Sequence, residues 1–338
     1  MGLLKRSVLG LSSKEAGFER RGFECPDWAV RNSLEEILRM FIYGYNAALA
    51  SADLERLSQT LEETTDKHHV GFAFEGAGMC FALLDLLWPR KRSRLRTFTD
   101  GPGWRHDYIA TVGAGFAVGR VPYGLRVLDL YLEKLDPMNA WCLLDGYGFH
   151  QGVFHSSVYV EQGLSPPVRL ADYGKELFDS GLGRSLWWVK GASPRNLYES
   201  ISRFPALRRK EMWHGVGVAA TYAGGVNEET LLTLLALAGE HQADFLSGVP
   251  FAARMRQKGG NASPATDLAC SRLLNLTCDA AANMLVQDLE YIKAEWRGSQ
   301  KAFGKSGYML VRDRLKQRFR MQKEERDAVS SSKPVAWR

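Results

Sequence analysis

The sequence lacks the motifs by which most enzymes are recognised. Its 338 residues contain no Gly-x-Ser-x-Gly nucleophile elbow, no His-Glu-x-x-His zinc motif, no P-loop and no paired Cys-x-x-Cys. They also contain no run of 18 or more apolar residues, so no transmembrane helix is expected. No signature of a nucleotide, haem or iron–sulfur cofactor is present, which leaves the identity of any cofactor unknown.

Cysteine is scarce and forms no recognisable pairs. The five cysteines are scattered and odd in number, and Cys80 and Cys142 lie in apolar runs, as small core residues do. A reducing compartment fits this usage best. Residues 1–12 have neither a long apolar segment nor a clear small-residue cleavage site, so we predict no signal peptide and a cytoplasmic protein.

The charge balance is only mildly basic, with a net charge of +6 and a pI near 9.0. The basic residues cluster in residues 90–96 and in residues 312–326. Such runs can meet phosphate or an anionic lipid surface. We favour the simpler interpretation that they are a solvated loop and a solvated helix face, and we predict no nucleic-acid partner.

What the sequence does have is a recurring glycine pattern. Each copy consists of a glycine, any residue, then a second glycine or another turn-compatible residue, and usually an apolar residue after it. The copies begin at Gly76, Gly113, Gly146, Gly181, Gly215 and Gly248. The intervals between these first glycines are 37, 33, 35, 34 and 33 residues. A period near 34 is typical of helix–turn–helix units of the tetratricopeptide class.

The residues between the glycines agree with a helical hairpin in each period. Gly224 and Gly225 interrupt one helix, and Asn227 is a suitable N-cap for the leucine-rich helix predicted over 228–238. We therefore predict an all-α protein of about six tandem hairpins, a tetratricopeptide-like α-solenoid. The predicted domains are an N-terminal arm at 1–33, a helical-repeat domain at 34–300, and a C-terminal basic helix and tail at 301–338.

Glycine inside a helix needs a physical reason, since it costs roughly 0.5–1 kcal/mol relative to alanine. Close approach of two helices is the reason we favour, because glycine has no side chain to hold the axes apart. A dinucleotide-binding loop is the alternative reading of Gly-x-Gly. No β-strand pattern precedes any copy, however, and the full Gly-x-Gly-x-x-Gly fingerprint is absent.

The residue before each first glycine occupies the same repeat position and should form a row along one face. Five of its six members are polar within otherwise apolar helices. The row is Glu75, Val112, Asp145, Ser180, His214 and Ser247. A concave apolar surface with a few convergent polar groups is the usual form of a binding site. We expect Glu75, Asp145 and His214 to line one shared cavity.

Neighbouring residues complete the predicted site. We expect His150 and Arg184 near its rim, and Phe149, Trp187 and Trp213 around the substrate. Two roles remain open for Glu75, Asp145 and His214. They could transfer protons as an acid–base set, or they could hold a metal, although nothing in their spacing demands one. His150 and His155 are five residues apart and point about 140° apart on a helix, so a metal shared by both is not expected.

Several of these segments together resemble a known group of proteins. The segments are Phe74–Met79 with Ala82–Asp85, Val112–Ala117, Asp145–Phe154, Gly183–Trp187 and Gly215–Gly225. In consistent order over about residues 25–300, they are similar to the uncharacterised family found in bacterial enediyne biosynthetic gene clusters, the UnbL type. The resemblance implies a role in maturing an enediyne core from a polyketide polyene. It supplies no mechanism that can be carried to individual residues.

Two classes of function follow. In the first, the protein is an accessory biosynthetic enzyme or enzyme component that acts on an apolar polyene or polyketide-derived small molecule in an aromatic-lined cavity. In the second, it is a helical-repeat scaffold that binds other biosynthetic proteins. Glu75 and Asp145 favour the first class, because uncompensated carboxylates are costly in an apolar core.

Overall fold

A computed structural model of the chain describes residues 9–89, 91–133, 135, 140–295 and 300–331. Helices make up 78% of the structure, and no strand occurs in these ranges. The prediction of an all-helical protein is therefore confirmed.

Nine helices carry the fold and are numbered here in chain order. They are α1 Trp28–Ala50, α2 Val70–Leu87, α3 Asp107–Arg120, α4 Ala140–Phe154, α5 Asp172–Val189, α6 Ala206–Tyr222, α7 Gln242–Gly259, α8 Cys278–Glu295 and α9 Gln300–Ser331. Each helix from α1 to α8 packs on the next in sequence.

Shorter helical segments connect the numbered helices and contact them much less. The α-helical ones are Phe18–Arg21, Leu54–Thr64, Arg94–Thr99, Leu128–Leu132, Pro194–Ser202, Glu228–Leu237 and Pro264–Ala269. Single turns of 3₁₀ or π-helix lie at Ser13–Ala16, Trp104–His106, Gly124–Arg126, Ser157–Glu161, Gly239–His241 and Cys270–Leu274. The Asn227 side chain accepts from the Thr230 N–H at 2.9 Å, so the predicted N-cap is confirmed.

The repeated glycines allow the numbered helices to touch through their backbones. A Cβ built at the first glycine of each copy would overlap the carbonyl oxygen of the residue that precedes the equivalent glycine in the helix before it. The pairs include Gly113 with Glu75, Gly146 with Val112, Gly181 with Asp145, Gly215 with Ser180 and Gly248 with His214. The prediction that these glycines occupy equivalent places at close helix contacts is confirmed.

The glycine contacts extend one helix further towards the N-terminus than the sequence pattern showed. In α1, Gly44 meets the backbone of Ala73 as closely as Gly78 meets that of Ala110. Gly76 in turn meets the carbonyl of Phe41, which therefore holds the same place in α1 that Glu75 holds in α2. The predicted boundary at 33/34 consequently falls inside α1.

The row of helices curves so that helices four places apart in the row meet. Phe72 of α2 packs edge-on against Tyr222 of α6, with 5.1 Å between ring centroids. Lys258 of α7 forms an ion pair with Asp107 of α3 at 2.6 Å. Because these helices contact each other across the curve, the row encloses a central space. An extended solenoid, open along its whole concave face, would not.

The basic C-terminal helix is packed onto this body rather than solvated. Arg312 and Lys316 of α9 are buried, at 0% and 4% exposure, and both form ion pairs with the buried Glu211. Lys316 also reaches Asp244 at 3.0 Å. The expectation of a solvated helix face at 312–326 was therefore wrong for these two residues, because acidic side chains of α6 and α7 compensate their charge.

Helix α2 has the length and composition to cross a membrane, with a mean hydropathy of 1.6, but 94% of it is buried inside the fold. Buried residues occur on all of its sides because α1 and α3 flank it and the short segments Arg94–Thr99 and Trp104–His106 also pack on it. This is the burial pattern of a core helix.

Candidate functional site

The central space is a cavity of about 430 Å³. Side chains from six successive helices, α1 to α6, form its wall, and the segment before α1 covers it. Most of the wall is apolar, and its aromatic members are Phe41, Phe72, Phe116, Phe149, Phe154, Trp188 and Tyr222. The titratable or cationic members of the wall, tyrosine aside, are Glu15, Arg21, Glu75, Arg120 and Arg184.

The wall follows the glycine repeat, but along a different row from the predicted one. The residue three positions after the first glycine faces the cavity in five successive helices. This row is Met79, Phe116, Phe149, Arg184 and Val218. Arg184 is its single polar member. The residue four positions later, one helical turn away, also lines the cavity in α3 to α6 and supplies Arg120, Val153, Trp188 and Tyr222.

Glu75 is the member of the predicted polar row that lines the cavity. It is 6% exposed, and its carboxyl group has no hydrogen bond to a described residue. Its row neighbours explain this, since Phe41 and Val112 on the adjoining helices are apolar. Burial raises the pKa of Glu75 to about 7, against the opposing charge of Arg184 and with a smaller contribution from Asp145. Near neutral pH this carboxyl group can therefore give or take a proton.

Arg184 is held by Asp145, which lies behind it and outside the cavity wall. The Arg184 Nε is 2.9 Å from Asp145 Oδ1 but poorly aligned for a hydrogen bond, so the contact is an ion pair. Ser180 donates to Asp145 Oδ2 at 2.8 Å. Burial still raises the pKa of Asp145 above its ordinary value. The guanidinium also lies 4.8 Å from the Phe149 ring centroid, and its buried Nη2 has no described partner.

His214 lies apart from this cavity. Its Nδ1 is 2.8 Å from the hydroxyl of Ser247, which itself donates to the Asp244 carbonyl at 2.6 Å. The imidazole therefore donates from Nδ1, and burial lowers its pKa well below the ordinary value, as do the charges of Arg312 and Lys316. The polar row thus divides into hydrogen-bonded neighbours, Asp145 with Ser180 and His214 with Ser247. The expected convergence of Glu75, Asp145 and His214 in one cavity does not occur.

The remaining predicted residues are divided between wall and core. Phe149 lines the cavity, whereas His150 lies behind the wall and stacks on Phe154 with 4.5 Å between ring centroids. Burial lowers the pKa of His150 to about 3, so it is neutral. Trp187 is fully buried and donates to the Gly224 carbonyl at 3.0 Å, and Trp213 packs edge-on against Phe245. Both tryptophans serve the helix packing away from the cavity.

A metal-binding arrangement of the predicted residues is not formed. Across the described ranges, no three His, Cys, Asp or Glu side chains are grouped as metal ligands would be. Glu75 and Asp145 share Arg184 between them, and His214 belongs to a separate hydrogen-bonded group. What this site brings together is one titrating carboxyl group and one guanidinium beside an apolar cavity.

The segment before α1 covers the cavity and is tied to α1 by side chains. Gly10, Leu11, Ser12, Glu15 and Arg21 contribute to the cavity wall. Asn46 donates to the Leu11 carbonyl at 2.8 Å and accepts from the Leu11 N–H at 3.0 Å. Glu35 accepts from the Phe18 N–H at 3.0 Å. Residues 9–21, called the cover segment below, therefore reach the cavity through specific hydrogen bonds.

Asn46→Ala should loosen the cover segment without unfolding the helices. The change removes both hydrogen bonds to Leu11, which are worth about 1–3 kcal/mol together. We expect faster amide hydrogen exchange in residues 9–21 and unchanged exchange in α4 and α5. Equal exchange of the cover segment in the variant and the wild type would show that other contacts hold it in place.

The structure defines an all-helical protein in which a closed row of helices surrounds an apolar cavity with a buried acid and a buried arginine. The chain belongs to the family described as "Protein of unknown function (DUF1702)", which matches residues 1–319. No curated protein and no solved structure shows significant similarity to it.

Proposed function

We propose that the protein binds an elongated apolar small molecule in the central cavity and that Glu75 exchanges a proton with it. The observation that carries this proposal is the Glu75 carboxyl group, which faces an aromatic-lined cavity with a pKa near neutrality and no hydrogen-bond partner among the described residues. Perturbed titratable groups in apolar cavities are characteristic of functional sites. Arg184, fixed by Asp145, keeps the charge beside Glu75 constant during proton transfer.

The resemblance of the sequence to the UnbL-type family suggests the ligand and the pathway. We propose a linear polyene derived from a polyketide as the ligand, and maturation of an enediyne core in the cytoplasm as the pathway. A rigid polyene suits the cavity, because flat conjugated surfaces pack well on the rings of Phe116, Phe149 and Trp188. Such a ligand has no polar groups that need hydrogen-bond partners, and the mostly apolar wall offers few.

Diphenylhexatriene, a neutral rod-shaped polyene that fluoresces in apolar surroundings, tests the cavity directly. We expect it to bind the wild-type protein at one site. Ala219→Phe, which places a ring inside the cavity from α6, should weaken this binding about ten-fold or more, since an overfilled site costs more than 1 kcal/mol. Leu207→Phe is the matched control, because it adds a similar ring to the same helix at a position that is 83% exposed.

Two results would contradict the proposal. One is the absence of any fluorescence gain with the wild type, and the other is an equal loss of binding in both variants. Turnover is tested separately by incubating a linear polyene with the protein, extracting it and recording its absorption, which changes if the conjugated system has changed.

A scaffold role of the kind that tetratricopeptide-like solenoids have is the second candidate. It is less well supported, because the concave side of this helix row encloses a cavity.

A further inference from the structure

The charged groups in and behind the cavity wall form two clusters. One has more carboxyl groups than guanidinium groups, and the other has more guanidinium groups than carboxyl groups. Near Glu75 the charged side chains are Arg184 and Asp145, so two carboxyl groups share one guanidinium. The second cluster contains Arg21 and Arg120, and both of these charges act on His150. Glu75 contacts α3 at Gly113, about two helical turns before Arg120, and it is 6% exposed whereas Arg120 is exposed. The two clusters therefore lie at different ends of the cavity, which we call the inner end and the mouth.

The wall at the inner end offers no free positive charge, since the nearby Arg256 is outside the wall, packed against Phe72 and Tyr222, and donates to the carbonyl groups of His68, Tyr222 and Asn261. Arg184 is already paired with Asp145 at 2.9 Å, and Glu75 is a second acid beside it. A third carboxylate placed there would meet two acids and a single compensated cation, and a buried charge without a partner is strongly unfavourable. An uncharged apolar group, by contrast, leaves Glu75 free to be protonated. The inner end therefore favours the uncharged part of a ligand.

The mouth has an excess of positive charge. Glu15 is shared between Arg20 at 2.6 Å and Arg21 at 3.7 Å. Arg120, the last residue of α3, is exposed, and among the cations of the wall it is the one with no ion pair to a described residue. The wall at the mouth thus carries two guanidinium groups, of Arg21 and Arg120, and one carboxylate, of Glu15, which Arg20 outside the wall also pairs.

We propose that the ligand of this cavity is an amphiphile whose apolar chain lies inside against Glu75 and whose anionic end, a carboxylate or a phosphate, is bound at the mouth by Arg120. This rests on the proposed function and adds the charge and the orientation of the ligand. Among the described cations at the mouth, Arg120 is the one available for the new ion pair, because Arg20 and Arg21 already share Glu15. The opposite orientation would place the anion beside Asp145 and Glu75.

Three probes with the same conjugated core test this inference. They are diphenylhexatriene, its propionic-acid derivative and its trimethylammonium derivative, which are neutral, anionic and cationic. We expect the wild type to bind the anionic probe about ten-fold more tightly than the cationic one at low salt, and this preference to shrink as salt is added, since the mouth is open to solvent. Arg120→Glu should weaken the anionic probe about ten-fold and change the neutral probe less than about two-fold.

Arg92→Glu makes the same charge change at an exposed position away from the cavity and should leave all three Kd values unchanged. The inference is overturned if Arg120→Glu leaves the anionic probe unaffected, or if the cationic probe binds more tightly than the anionic one. Binding of the neutral probe separates this result from the proposed function. If that probe binds the wild type and is blocked by Ala219→Phe while the charged probes show no preference, only the charge assignment fails. If the neutral probe does not bind at all, both fail.

Discussion

Gly183→Ala is expected to destabilise the protein by about 1–3 kcal/mol, although it adds a single methyl group. The added Cβ would overlap the carbonyl oxygen of Met212 in α6, and a backbone atom in a packed helix cannot move aside as a flexible side chain can. The helices α5 and α6 would have to separate, and each is already packed on its other neighbour. We expect a lower midpoint in urea unfolding with little change in slope.

Gly174→Ala is the matched control within the same helix. It is also buried, but its Cβ would lie no closer than 3.4 Å to the side chain of Leu170, an ordinary contact. The normal preference of helices for alanine should then prevail and stabilise the protein by roughly 0.5–1 kcal/mol. If Gly183→Ala stabilised the protein to the same extent, the numbered helices would not be in contact through their backbones at this position.

Much of this architecture could be predicted from the sequence, because the close contacts need glycine and glycine is visible. The period near 34 residues correctly identified six of the contacting helices. It missed α1, where Gly44 retains only the second position of the pattern and Ile42 replaces the first. A pattern search finds no copy there, although the backbone contact of Gly44 with Ala73 is equally close.

The candidate site was predicted only in part, and the reason is rotation about the helix axis. The polar row before the first glycine lies close to the helix contacts, so neighbouring members bond to one another, as Asp145 does with Ser180 and His214 with Ser247. The cavity wall follows the row three residues after that glycine. In each row, one residue that differs from its neighbours in polarity could have pointed to the site. Arg184 is the one polar residue in the row that forms the cavity wall. Glu75, in the polar row, has the apolar residues Phe41 and Val112 next to it on the adjoining helices.

The closure of the row could not be predicted from the repeat. It depends on pairs far apart in sequence, such as Phe72 with Tyr222 and Asp107 with Lys258, and no local pattern specifies them. The burial of Arg312 could not be predicted either, since its partner Glu211 lies about a hundred residues away and a basic helix is usually solvated. Arg120, at the mouth, follows Phe116 by one turn and could have been found from the wall row.

Glu75→Gln is expected to stabilise the protein above neutral pH while abolishing the proposed proton transfer. The pKa of Glu75 is about 7 in the folded protein and 4.5 when unperturbed, so the unfolded chain releases this proton more readily. Stability from this group is fully present below pH 4.5 and is lost as the pH rises through 7. Glutamine cannot ionise, so the variant escapes that loss.

At pH 8 the free energy of unfolding of Glu75→Gln should exceed that of the wild type by up to about 3 kcal/mol, and at pH 4 the two should unfold alike. Urea unfolding at both pH values measures the difference.

The same variant should bind diphenylhexatriene as the wild type does, since the glutamine side chain keeps the shape of the wall, yet fail to change a bound polyene. A difference in stability that does not depend on pH would show that folding leaves the pKa of Glu75 unchanged, and activity retained by a stable variant would show that the proton comes from another group. Gain of stability together with loss of turnover is the combination expected of a carboxyl group that is kept buried for its chemistry, because a carboxyl group that served packing would stabilise the fold and its removal would weaken it.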